Sequence, residues 1–116
     1  MAEIEKTARI EITIGFDEQK LPVEMHWHTT DLDSGEPVPC KAMLLSLFDR
    51  ETLDTLKIDL WTKDMQVVEM DRFFFQTLRA MADTYKRATS NKDLANDMQR
   101  FVQYFGEKTE ILKKEE

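Results

Sequence analysis

Apolar and polar residues alternate along the first part of the chain, which is the pattern of half-buried β-strands. The segment ARIEITIGFD places apolar residues at every second position from Ile10 to Phe16. After the polar turn DEQK, the alternation resumes from Leu21 to Trp27. Successive strand side chains point to opposite faces of a sheet, so the two segments predict a hairpin with one polar face. Pro22 lacks a backbone donor, which is typical of an edge strand or of the first residue of a strand.

A second pair of strands is predicted between Cys40 and Trp61. In TLKIDLW the apolar residues again occupy every second position, which indicates a strand. The segment CKAMLLSLFD predicts its partner, although the adjacent Leu44 and Leu45 leave a short helix as the alternative. The intervening segment TTDLDSGEPVP is rich in turn residues and predicts a flexible loop over about 29–39.

Beyond Trp61 the apolar residues recur every three or four positions, which indicates helices. One stripe runs from Val67 to Tyr85 and another from Leu94 to Leu112, with ATSNKD between them. The element order predicts an α+β two-layer sandwich, in which two C-terminal helices cover one face of an antiparallel four-stranded sheet made of two hairpins. Residues 1–116 are expected to form a single domain with a charged tail at about 107–116.

Composition narrows the function classes. The net charge is −7 with 23 acidic and 16 basic residues, which argues against nucleic-acid binding and against direct membrane insertion. The single cysteine cannot form an intramolecular disulfide, and no apolar run approaches the length of a membrane span. The acidic N-terminus lacks the plan of a signal peptide, so the expected location is cytoplasmic.

The segment from Ile58 to Thr89 resembles the gliding-motility-associated protein GldC family. The resemblance rests on LWTKDM directly after the LKID strand, followed by EM, FF, QTL, MADT and RAT. KAMLLSLFD is similar to the preceding strand of that family and MQRFVQYFGEK to its last helix. The resemblance implies a small soluble bacterial accessory protein of the gliding machinery, with no known enzymatic activity and with protein partners. It carries over no catalytic or metal-binding motif.

The polar junction after Trp61 is interpreted as structural. Thr62 and Asp64 carry oxygens that satisfy unpaired N–H groups at a helix start, so we predict that they cap the first helix. Ser90 is predicted to cap the second helix, with Asn91 as an equally good cap. No nucleophile stands beside a base in this junction, and no glycine-rich phosphate loop occurs. We therefore predict no enzyme activity and no cofactor.

His26 and His28 are the strongest candidates for metal binding. Residues i and i+2 of a strand share a face, so the two imidazoles project together, as two metal ligands must. A zinc site needs at least three ligands, and the nearest further ones are Glu11, Glu24 and Asp31. Two surface histidines are the simpler interpretation, and a small metal-binding or ligand-binding protein centred on them is the alternative function. Cys40 precedes Lys41, which would lower its pKa, but no general base is placed beside it.

The triplet Phe73-Phe74-Phe75 suggests an interaction surface. Helical residues step by about 100°, so if Phe74 lies on the apolar stripe, Phe73 and Phe75 flank it on both sides. Core packing of the triplet and an exposed aromatic patch remain open. The interaction candidates are Phe73, Phe75, Val68 and Trp61, and the sheet edge near Pro22 offers a second docking mode by strand addition. The predicted partner is a protein of the gliding machinery, with a second copy of the chain as an alternative.

Overall fold

The computed structural model describes residues 2–30 and 35–113. The chain divides into two compact units, Met1–Met65 with the strands and Gln66–Glu116 with the helices. We refer to them as the strand unit and the helical unit. Antiparallel strands followed by two helices confirm the predicted α+β class.

The first predicted hairpin is present in the strand unit. Strand β1 (Ile10–Phe16) pairs antiparallel with β2 (Pro22–Thr29), and Ile14 lies opposite Met25. The apolar residues therefore share one face, as the alternation predicted, and the Met25 side chain is buried. At the turn, the Asp17 carboxylate accepts two backbone N–H groups, which closes the hairpin.

A third strand, β3 (Val38–Cys40), was not predicted. It pairs antiparallel with β2, placing Cys40 opposite Met25, so β2 is the central strand of this sheet. Pro22 is the first residue of β2, and its carbonyl accepts the Lys63 N–H at 3.0 Å, so the proposed docking edge at Pro22 is already engaged. The three residues of β3 are too few for a periodic signal, and Pro39 among them fits an edge position.

The second hairpin forms a separate sheet, which corrects the prediction of a single four-stranded sheet. Strands β4 (Ala42–Phe48) and β5 (Thr55–Trp61) pair only with each other among the described residues. The chain bends at Lys41, directly between β3 and β4, so it leaves one sheet and enters the other there. The predicted strand from CKAMLLSLFD is confirmed over Ala42–Phe48, and the alternative of a short helix is not.

The predicted loop and tail are shorter than expected. Thr29 still belongs to β2, and Val38 already belongs to β3. Residues 31–34 of the predicted loop, including the candidate ligand Asp31, lie outside the described residues. Glu107 and Lys108 are part of the last helix rather than of a tail, and residues 114–116 again lie outside the described residues.

Helix α1 (Val67–Thr89) begins later than its predicted caps. Its N-cap is Gln66, whose backbone N–H is accepted by the Glu69 carboxylate at 3.0 Å. Thr62 and Asp64 lie before this position, and the Asp64 carboxylate accepts the Thr62 hydroxyl, so neither residue is the N-cap. The capping signal of the sequence was assigned to the wrong polar residues.

Ser90 ends the first helix instead of starting the second. It adopts a left-handed conformation with φ of 60°, and its N–H donates to the Lys86 carbonyl at 2.8 Å. Helix α2 (Lys92–Lys108) is capped by Asn91, whose side chain accepts the Leu94 N–H at 3.1 Å. Asn91 was the alternative cap in the sequence, and Asn favours both caps and turns because of its short polar side chain.

The two helices pack as an antiparallel hairpin around small residues. Ala82 of α1 and Ala95 of α2 are buried, and so is Gly106 near the end of α2. A Cβ on Gly106 would lie 2.7 Å from Cε1 of Phe75 and 2.6 Å from Cδ1 of Leu112. Gly106 is therefore the point at which an aromatic ring of α1 and the C-terminal segment both close onto α2, and the helix runs through it without interruption.

Candidate interaction surfaces

The polar junction of the strand unit is a structural clamp. Thr62 is buried, and its backbone N–H donates to the Lys41 carbonyl at 2.8 Å. The Thr62 hydroxyl also donates to the Asp64 carboxylate. Lys63 bonds the Pro22 carbonyl through its backbone and the Asp17 carboxylate through its Nζ, at 2.8 Å. Thr62 and Lys63 thus fasten the end of β5 to the bend at Lys41 and to the turn of the first hairpin.

Three loop carboxylates of the strand unit are held in the charged form. The hydrogen bond from the Lys63 ammonium lowers the pKa of Asp17, and backbone N–H groups of Thr52 and Glu51 lower the pKa of Asp49. The Thr62 hydroxyl lowers the pKa of Asp64. Each carboxylate therefore stabilises its turn or the junction more strongly when it is ionised than when it is protonated.

The structure places the two candidate metal ligands on one face, and among the described residues no third ligand is arranged with them. His26 lies opposite Thr13, and His28 lies opposite Glu11. Within residues 2–30 and 35–113, no group of three or more His, Cys, Asp or Glu side chains is arranged to hold a metal ion. Partial burial raises the pKa of the Cys40 thiol, opposite to the effect expected from its basic neighbour, so the thiol form is favoured.

The burial of the three phenylalanines differs from the expectation that Phe74 lies at the centre of the buried stripe. Phe75 is buried against α2, Phe74 is exposed, and Phe73 lines a groove on the helical unit. The contact with α2 falls on the side of α1 that carries Phe75 and Ala82, about 100° away from Phe74. The centre of the apolar stripe is therefore exposed. Phe75 is part of the core and is withdrawn as a surface residue, and the Arg79 guanidinium lies over its ring at 5.3 Å from the centroid.

Val68 and Trp61 are exposed, in different units. Val68 lies in the first turn of α1. Trp61 ends β5 and borders a cleft of about 450 Å³ in the strand unit, together with Leu21, Pro22, Asp59, Leu60 and Lys63. Both positions are accessible to a partner.

A patch that the sequence did not single out lies at the tip of the second hairpin. We refer to Leu47, Phe48, Leu53 and Leu56 as the hairpin-tip patch; each keeps between 53% and 68% of its surface exposed. Leu53 also has φ of 62°, a left-handed conformation that a bulky side chain rarely adopts. The signal available in the sequence was an apolar residue inside a polar turn, between Thr52 and Asp54.

A comparison with models of known protein families shows to which family the chain is related. Residues 22–111 match the family described as gliding motility-associated protein GldC-like. The chain belongs to the GldC-like family. No curated protein and no solved structure matches the chain. The relationship confirms the resemblance noted in LWTKDM and the residues that follow it.

The GldC-like family gives a cellular context and no reaction. It is an accessory family associated with gliding motility and is not known as enzymatic. The matched residues begin at Pro22, so they include the hairpin-tip patch, the junction and both helices. In the part of the chain that the structure describes, no helix is long and apolar enough to cross a membrane.

Proposed function

We propose that the chain is a non-catalytic accessory protein that binds a protein partner of the gliding machinery through its hairpin-tip patch. The observation that carries the proposal is the exposure of Leu47, Phe48, Leu53 and Leu56 within one short hairpin. Leu47 and Leu56 lie directly opposite each other on the paired strands, and a cluster of exposed apolar side chains is typical of a protein-binding site. The family supplies the expected class of partner.

Backbone strain at Leu53 supports the same role. A left-handed conformation costs a non-glycine residue roughly 1–2 kcal/mol, and such strain is concentrated at functional positions. Here the strained residue keeps 64% of its surface exposed, so its side chain contributes little to the folding of its own unit. A leucine presented on a tight turn is suited to fill an apolar pocket on a partner.

The proposal is tested by replacing the Leu53 side chain without disturbing the turn. Asn tolerates the left-handed conformation, so Leu53→Asn removes the apolar side chain and preserves the backbone. The matched control is Lys20→Asn, because Lys20 adopts φ of 64° in the turn of the first hairpin. Tagged wild type, Leu53→Asn and Lys20→Asn are used to capture proteins from an extract of the host cell, with quantitative mass spectrometry.

We expect a motility-associated protein to be recovered with wild type and with Lys20→Asn. Leu53→Asn should reduce its recovery about tenfold, as the loss of a central interface residue does. Equal recovery with all three baits would contradict the assignment of the hairpin-tip patch. Recovery of the bait alone with wild type would contradict the proposed function itself.

A further inference from the structure

The two units differ in charge in a way that favours one of them for self-association. Residues 1–65 contain 14 acidic and seven basic side chains, whereas residues 66–116 contain nine of each. The whole net charge of −7 therefore belongs to the strand unit. Two copies that meet through their strand units repel each other, while two neutral helical units do not.

The helical unit also exposes a continuous apolar face. In α1 the side that contacts α2 carries the buried residues Phe75 and Ala82. Phe74 and Met81 each precede one of them by one position and therefore lie about 100° to one side of the contact. In α2 the side that contacts α1 carries Val102. The exposed residues Leu94 and Phe101 lie about 100° from it around the helix, rotated in the same direction as Phe74 is from Phe75. Because the helices are antiparallel, both displaced stripes lie on the same face of the helical hairpin. We refer to Phe74, Met81, Leu94 and Phe101 as the helical apolar face; their side chains are 39% to 54% exposed.

A groove beside these residues makes the surface concave, so that it can accommodate a side chain of a second copy. It has a volume of about 670 Å³ and is lined by residues of both helices, including Phe73, Met81, Tyr85 and Met98. On α2, the Phe101 ring stands next to that of Phe105, with 6.2 Å between centroids. One face thus offers both a protruding aromatic side chain and an apolar groove, as a symmetric contact requires.

The exposed apolar area of the helical unit is that of a small specific interface. A large apolar or aromatic side chain has a surface of roughly 150–250 Å², and about half of it remains exposed at each of the four positions. With the partly exposed residues Phe73, Tyr85, Met98 and Phe105, the face presents roughly 500–600 Å² per partner, at the low end of specific interfaces. This apolar area is enough for a specific, concentration-dependent contact with a second copy.

We propose that two copies of the chain associate through their helical apolar faces to form a symmetric dimer. The Phe101 side chain of one copy enters the groove of the other, and the twofold symmetry repeats the contact. This inference goes beyond the partner binding proposed above and uses a different surface. The hairpin-tip patch belongs to the strand unit and supplies no residue to this contact.

The test is the molar mass of the purified full chain, measured by sedimentation velocity over a range of concentrations. We expect twice the 13.7 kDa of one chain for wild type. Phe101→Ser should raise the dissociation constant at least about tenfold and give the monomer mass at low concentration. Phe48→Ser, which removes a similarly exposed phenylalanine from the strand unit, is the matched control and should stay dimeric.

Two further measurements keep the result unambiguous. Met81→Lys places a charge at the centre of the same face on the other helix, and Lys is a good helix former, so it should give a folded monomer even if Phe101→Ser unfolds. The mass of wild type should not change between about 0.05 M and about 1 M salt, because the contact is neutral. A monomeric wild type at all concentrations would overturn the proposal. So would dissociation by Phe48→Ser instead of Phe101→Ser, or a dimer that forms only at high salt.

Discussion

The strand unit and the helical unit are stabilised by different interactions. In the strand unit, the carboxylates of Asp17, Asp49 and Asp64 organise the turns and the junction, and Met25 is the one buried apolar side chain among its described residues. In the helical unit, no net charge is present and four buried apolar side chains lie along the helix contact: Phe75, Ala82, Ala95 and Val102. One unit therefore depends on ionised loops and the other on close helix packing.

This difference separates the two proposed surfaces. The hairpin-tip patch belongs to the acidic unit, in which repulsion disfavours contact between copies. The helical apolar face belongs to the neutral unit, which can meet a copy of itself. The spectroscopic probes are separated in the same way, since both Trp residues lie in the strand unit and both Tyr residues lie in the helical unit. Each unit can thus be followed by its own signal.

Removing the buried phenylalanine should give the largest effect. Phe75→Ala deletes a ring that packs against Gly106, and the cavity should cost about 3–5 kcal/mol. Circular dichroism at the helix band during urea unfolding measures the loss. Phe74→Ala removes the neighbouring exposed ring and should cost less than about 1 kcal/mol. Similar costs for both would contradict the assignment of core and surface within the triplet.

Adding one methyl group at Gly106 should destabilise the helical unit. The new Cβ would collide with Phe75 and Leu112, so Gly106→Ala should cost about 1–3 kcal/mol despite the better helix propensity of Ala. The control is Gln99→Ala on the exposed side of α2, which should change stability by no more than about 0.5 kcal/mol. Stabilisation by Gly106→Ala would show that helix propensity outweighs packing at this position.

Acid should weaken the strand unit through its loop carboxylates. The pKa of Asp64 is lower in the folded chain than its ordinary value of 3.8, so the unfolded chain binds the proton more readily. The stabilisation is complete above that ordinary value and is lost as the pH falls through the folded value. Asp64→Asn should therefore lower the midpoint of urea unfolding at neutral pH, measured by Trp fluorescence. In a plot of this midpoint against pH, the decrease at acid pH should be less steep for Asp64→Asn than for wild type.

The control for the acid experiment is Asp97→Asn in α2. Asp97 pairs with Arg100 on the exposed surface of the helical unit, so its replacement should leave the Trp-detected midpoint and its pH dependence as in wild type. An acid branch that is equally steep in wild type and in Asp64→Asn would show that the junction carboxylate does not stabilise the strand unit.

Relief of the left-handed turn in the first hairpin should give the smallest effect. Lys20→Gly removes the cost of φ at 64° and should raise stability by about 0.5–1 kcal/mol. The same replacement at Lys57, which lies in β5, should lower stability by a similar amount because Gly weakens a strand. The midpoint of urea unfolding should therefore rise with Lys20→Gly and fall with Lys57→Gly. A change in the same direction for both would contradict the left-handed conformation of Lys20.

The sequence predicted periodic elements well and their assembly poorly. Alternation from Ile10 to Phe16 and helical spacing from Val67 to Tyr85 are local signals, and both elements are present. The division into two sheets depends on β3, whose three residues pair with the preceding strand β2 and carry no period of their own. Which strands pair is decided by tertiary contacts, which a local pattern does not encode.

The interaction residues were predicted only in part. The sequence identified the phenylalanine triplet but not which ring is buried, because the side of α1 that meets α2 is fixed by the small residues Ala82, Ala95 and Gly106. The hairpin-tip patch was missed because Leu47 and Leu56 look like ordinary strand residues. Their exposure, and the left-handed backbone of Leu53, became visible only in the folded hairpin.

The most direct test of separate surfaces is one co-purification with two readouts. Tagged wild type, Leu53→Asn or Phe101→Ser is expressed in host cells beside a second, differently tagged wild-type copy. The amounts of second copy and of motility-associated protein recovered with each bait are then measured. We predict that Leu53→Asn retains the second copy and loses the partner, whereas Phe101→Ser loses the second copy and retains the partner. Loss of both proteins with either substitution would contradict the separation of the two surfaces.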